Sequence, residues 1–161
     1  MRRLAALSLV LSGCGGWAGF DAGPMEVAAT CQGDRMTIQI EQGSIANCAD
    51  TVTALNAYRA AYENRWGQVD LAGRVVRIRA SMYAHDNGDG TAVAGVTFDN
   101  AIELGWYALS AFPHELHHIQ LRQANHLGWC NAFVPWEADE LGVDDRFGCG
   151  CAGLSFATTG T

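Results

Sequence analysis

From Arg35 to Glu41 the apolar residues Met36, Ile38 and Ile40 alternate with polar neighbours, the two-residue period of a strand with one buried face. The period then lengthens. Val52, Leu55, Tyr58 or Arg59, and Tyr62 recur at helical spacing, with Asn47 or Asp50 placed to cap the start, and the helix runs to about Trp66, where Gly67 stops it. Arg74 to Ala80 alternates again, with Val76, Ile78 and Ala80 on one face and Arg77 and Arg79 on the other. After the turn-forming cluster Asp86-Asn-Gly-Asp-Gly90, the segments Thr91 to Phe98 and Ala101 to Leu104 read as further strands, so the region predicts a β-meander. A second helix is expected from Ser110 to Asn125, with Pro113 in its first turn and Gly128 past its end. Pro135 then opens a short helix from about Trp136 to Leu141, which Gly142 closes. The pattern predicts an α+β fold: a small mixed sheet, a backing helix, a second helix and a short C-terminal helix, without internal repeats.

The first thirty residues do not share this pattern. Met1, Arg2 and Arg3 precede an apolar run from Leu4 to Leu11, far short of the roughly 20 residues a membrane-spanning helix needs, and Leu11-Ser-Gly-Cys14 follows. This order is that of an export signal. The tetrad resembles the lipobox of bacterial lipoproteins, and the resemblance implies that Cys14 is acylated, becomes the first mature residue and anchors the protein to a membrane. Gly15 in place of Asp implies outer-membrane sorting within the cell envelope, facing the periplasm or the surface. Three parts are expected: a signal peptide over 1–13, a flexible Gly- and Ala-rich tether over 14–30, and one folded domain over 31–161.

Charge and cysteine content narrow the partners. The chain carries 10 Lys+Arg against 17 Asp+Glu, a net charge of −7, and lacks the basic surface that nucleic acid requires. With Cys14 assigned to lipid, an odd number of cysteines remains: Cys31, Cys48, Cys130, Cys149 and Cys151. Export permits disulfides, and at most two can form. Cys31 and Cys48 flank the first expected strand and can tie it to the helix that follows, while Cys130 can reach Cys149 or Cys151. The spacing of the last three matches no common zinc-ribbon pattern. The acidic cluster near Asp86 fails as a calcium loop, because His85 stands where the first Asp belongs and Val96 where the bidentate Glu belongs. A hairpin turn is the better reading.

The residues with the most chemistry lie in Phe112-Pro-His-Glu-Leu-His-His-Ile-Gln120, which contains H-E-x-x-H at His114, Glu115 and His118. On a helix the two histidines are about 40° apart, so both imidazoles can bind one ion, while Glu115 points about 100° round from His114. Phe112, Leu116 and Ile119 fall on the far side, so one face is expected to pack on the sheet and the other to present a metal. His117, about 60° from His114, is expected to line the cleft. The motif, the strands before it and the acidic segment Trp136-Glu-Ala-Asp-Glu140 after it together resemble the gluzincin group of zincin metallopeptidases, in particular minimal members of that group, over about residues 35–145.

That resemblance implies a zincin-like fold in which the second helix is the active-site helix and the last one supplies a ligand. It implies Zn2+ held by His114, His118 and Glu137, with a zinc-bound water activated by Glu115 as general base, and a peptide or protein as substrate. Glu140, followed four residues later by Asp144, matches the family's spacing better than Glu137. Glu137 is preferred for its place beside Trp136 and Ala138 in the first turn after Pro135. The competing expectation is a non-catalytic cell-envelope lipoprotein that binds a partner or holds a structural metal.

Overall fold

The computed structural model describes residues 21–86, 92–122 and 128–142. The chain enters the sheet earlier than expected, through β1 (Val27–Gly33), which lies partly within the stretch read as a tether. It pairs antiparallel with β2 (Met36–Glu41), Cys31 opposite Ile38, across a turn in which Arg35 takes φ 53°. The pattern hides this strand because it is an edge: Cys31 is its single buried residue, and backbone bonds to β2 hold it without an apolar face.

The backing helix α1 (Cys48–Trp66) has its expected bounds. Asn47 is its N-cap, its Oδ1 accepting from the Asp50 N–H at 3.0 Å. Gly67, at φ 92°, ends the helix by donating its N–H to Glu63 O. The first turn of α1 is joined to β1 by a Cys31–Cys48 disulfide, with a Cα–Cα distance of 5.7 Å. Cys130 is also disulfide-bonded; Cys149 and Cys151, the partners expected for it, lie outside the described residues. The helix carries the chain from β2 to β3 (Val75–Arg79), parallel to it.

The expected meander is replaced by an insertion. After the short antiparallel pair β4 (His85–Asp86) and β5 (Ala92–Val93), the chain forms β6 (Gly95–Thr97) and β7 (Ala101–Gly105). The turn residues between β4 and β5 lie outside the described ones. The strand order of the five-stranded sheet is β1-β2-β3-β7-β6, with β7 parallel to β3 and antiparallel to β6. Burial explains the order. All five residues of β7 are buried, which suits an interior strand, whereas short β6 takes the edge.

The helices cover one face of this sheet, where Ile38, Ile40, Val76, Ile78, Ile102 and Leu104 meet Leu55, Tyr62, Phe112, Leu116 and Phe133 in one core. The other face is polar. There Arg79 bonds Glu103 and Glu41, both at 3.1 Å, and Arg77 donates to the carbonyl of Gly23 at 2.7 Å, which brings the start of the described chain across the sheet.

Two helical boundaries differ from expectation. A single 3-10 turn, Leu109–Ala111, leads into α2 (Phe112–Leu121), which stops where Arg122 turns left-handed at φ 52°, short of Asn125. The next helix, α3 (Cys130–Trp136), begins ahead of Pro135 and contains it, then widens into a π turn over Glu137–Leu141. Pro135 has no N–H to give the preceding turn, and the wider repeat absorbs the defect before Gly142, at φ 64°, closes on Glu137 O. The described residues form a mixed α+β fold with a five-stranded mixed sheet and three α-helices. No helix among the described residues is long and apolar enough to cross a membrane.

Candidate functional site

Every residue from Phe112 to Ile119 is buried, so α2 does not present an open face as its apolar spacing predicts. Phe112 and Leu116 sit in the core beneath the sheet. On the histidine side, Trp129 and Phe133 close the helix over. Trp129 lies 5.0 Å from the His114 ring, 4.5 Å from His117 and 5.5 Å from His118, centroid to centroid. Phe133 lies 5.8 Å from His114 and 4.7 Å from His117. An aromatic cover of this kind leaves no trace in helical periodicity, because its residues come from the next element.

Beneath the cover the helix brings His114 and His118 together. Their Nε2 atoms are 3.1 Å apart, and the residues are 2% and 0% exposed. Glu115, also 0% exposed, meets β6, where the Thr97 hydroxyl donates to its Oε2 at 2.7 Å. Gly95 lies alongside: a Cβ there would stand 2.8 Å from Glu115 Oε1. Neither Thr97 nor Gly95 follows from the motif. The available signal is register, since Thr97 pairs with Ile102 and Gly95 with Leu104, two residues whose side chains face the helices.

His117 does not line a cleft as expected. It faces α1, with its Nδ1 2.7 Å from the Tyr62 hydroxyl, and that hydroxyl also bonds Gln120 Oε1. Gln120 Nε2 donates to the carbonyl of Trp66, which fixes the amide orientation. The Tyr62 proton therefore goes to Gln120, and His117 must donate through Nδ1–H. Burial, with His118 nearby, lowers the His117 pKa to about 4, so the ring is neutral at pH 7 and carries its lone pair on Nε2. Burial also pushes the Tyr62 phenol well above its ordinary range.

Glu137 stands at the start of the π turn with 1% exposure, and its N–H bonds back to Phe133 O, one turn after the ring that covers His114. Asp139 and Glu140 on the same turn are exposed, so burial singles out Glu137 from the acidic segment. Of the two neighbours for which Glu137 is preferred, Trp136 is buried and Ala138 is exposed. Among the described residues, no group of three or more His, Cys, Asp or Glu side chains is placed to hold a metal ion. Cys14 and Asp144 lie outside those residues.

The His114–His118 pair fits zinc in donor type and spacing. Two imidazole nitrogens at the usual 2.0–2.1 Å from a tetrahedral zinc would be about 3.3–3.4 Å apart, close to the 3.1 Å observed. The same spacing also suits one hydrogen bond shared by the two rings. No protein-family model, no curated protein and no solved structure matches this chain.

Proposed function

We propose that the protein is a zinc-dependent metallopeptidase of zincin-like architecture, anchored in the bacterial cell envelope by lipid on Cys14. The observation that carries this reading is the convergence of two buried imidazole nitrogens from H-E-x-x-H, with the intervening glutamate of the same helix hydrogen-bonded to Thr97 on the edge strand. His114 and His118 would hold the ion. Glu137 is the preferred third ligand, as the one buried carboxylate of its turn. Bound zinc supplies Lewis acidity, polarising a substrate carbonyl and acidifying water.

The chain's own groups then have separate tasks. Glu115 takes the proton of the attacking water and later returns it to the leaving amine. Keeping the carboxylate out of the ligand pair leaves it available as a base. Trp129 and Phe133 exclude bulk water from the imidazoles, which strengthens local electrostatic interactions.

That enclosure also favours a second reading, a non-catalytic lipoprotein with a structural metal, because His118 and Glu115 have no exposed surface. The full-length exported protein separates the two by metal analysis and by cleavage of fluorescently labelled casein. The peptidase reading expects stoichiometric zinc, loss of cleavage with zinc retained in Glu115→Gln, and loss of both in His114→Ala and His118→Ala. Glu137→Ala should weaken zinc binding where Glu140→Ala does not. Zinc without cleavage in the wild type supports the second reading, and an active Glu115→Gln protein overturns the first.

A further inference from the structure

Glu115 has three rotatable side-chain bonds, and a base must be held still relative to the atom it deprotonates. We propose that Thr97 and Gly95 form a cradle on β6 that fixes the Glu115 carboxylate, making Thr97 the positioning residue of the general base. The inference rests on the reading of Glu115 as that base, and its structural half can be tested without it.

Two independent observations carry the proposal. The first is a hydrogen bond between two residues that are both 0% exposed: the Thr97 hydroxyl lies 2.7 Å from Glu115 Oε2 and 3.3 Å from the Glu115 carbonyl, so its single proton serves the carboxylate. The second is steric. A Cβ on Gly95 would come within 2.8 Å of Oε1 and 2.9 Å of Cγ, so the missing side chain is the space that the glutamate occupies.

Strand geometry places both contacts. Residues two apart share a face, and the pairing of Gly95 with Leu104 and of Thr97 with Ile102 turns that face towards the helices. One residue holds an oxygen by a directed bond and the other admits the stem. A buried threonine serving only its own hydrogen-bonding need would be satisfied by the backbone carbonyl alone.

Thr97→Val keeps the shape and removes the donor, while Thr97→Ser keeps the donor. Crystal structures of the zinc-free variants should show the Glu115 carboxylate displaced in Thr97→Val and in place in Thr97→Ser. In the full-length enzyme acting on labelled casein, Thr97→Val should retain zinc and lose about a hundredfold in kcat with KM unchanged, whereas Thr97→Ser should keep most of its activity. An unmoved carboxylate in Thr97→Val, or a Thr97→Ser protein as impaired as Thr97→Val, overturns the proposal. If Thr97→Val fails to fold, Gly95→Ala provides the reading, since it should drive the carboxylate off the strand; a carboxylate that stays in place refutes the cradle. A wild-type protein that cleaves nothing removes the peptidase reading, and the crystallographic comparison then decides the cradle alone.

Discussion

Helix α1 buries four side chains along its nineteen residues, Thr51, Leu55, Arg59 and Tyr62, and closes both ends with local bonds. Helix α2 is ten residues long, buries every position from Phe112 to Ile119, and starts without a side-chain cap. A helix with good caps and a solvated face is favoured by its own sequence, whereas a short uncapped one exists because neighbours surround it. The polar groups differ in the same sense. In α1 one charged group, Arg59, is buried and is matched to acceptors from its surroundings, while α2 buries three histidines and a glutamate within one short helix. Such a concentration is expected where a fold holds groups for chemistry at the expense of stability.

The contrast is tested most severely at Arg59. Its guanidinium donates to Glu63 Oε1 at 2.9 Å and to the carbonyls of Asp34, Arg35 and Val69 at 3.1, 2.9 and 2.7 Å, bracing the β1–β2 turn and the loop after α1 at once. Arg59→Ala leaves the buried Val69 carbonyl and the largely buried Glu63 carboxylate without this donor and should lower stability by about 3–5 kcal/mol in urea unfolding. If α1 is the structural helix, the proposed zinc binding per folded molecule is unaffected. A variant that loses zinc in proportion to stability would mean that the two helices do not divide the work.

Removal of the Cys31–Cys48 disulfide comes next. The bridge closes a sequence separation of 17 residues, and the chain-entropy relation gives about 3 kcal/mol for a loop of that length. Replacing both cysteines by Ala should cost that much and free β1 from α1 while leaving the His114–His118 pair intact. Unchanged thermal stability would show that the ladder between β1 and β2 suffices by itself.

The parts legible in the sequence are those whose stability is local. The bounds of α1 follow from Asn47 and Gly67, β2 and β3 from strict alternation, and the approach of His114 to His118 from the helical repeat. What stays hidden depends on distant partners. β1 lacks a periodic face because it is an edge; the place of β7 depends on burial from both sides; α3 absorbs Pro135 by widening its repeat. In the site itself, the motif identifies the imidazoles and the glutamate but neither the aromatic cover from Trp129 and Phe133 nor the strand contacts at Thr97 and Gly95. These come from elements separated along the chain, and no local spacing encodes them.

The smallest expected effect, and the one that locates acid sensitivity, concerns Glu63 near the end of α1. Burial alone would raise its pKa, but donation from the Val69 N–H at 3.1 Å, from Arg59 Nε at 2.9 Å and from Arg35 outweighs this and leaves the carboxyl below its ordinary 4.5. The folded state therefore binds this proton less readily than the unfolded chain. The stabilisation is complete above about pH 4.5 and is lost as pH falls through the lowered folded value. In urea unfolding at a series of pH values, the stability gap between wild type and Glu63→Gln should be widest near neutrality and narrow below about pH 4.5, since the variant has no proton to gain there. A gap that stays constant with pH would move the acid response away from α1 to other carboxylates, and would break the contrast between a helix fixed by its own caps and ion pairs and a helix held in place by its neighbours.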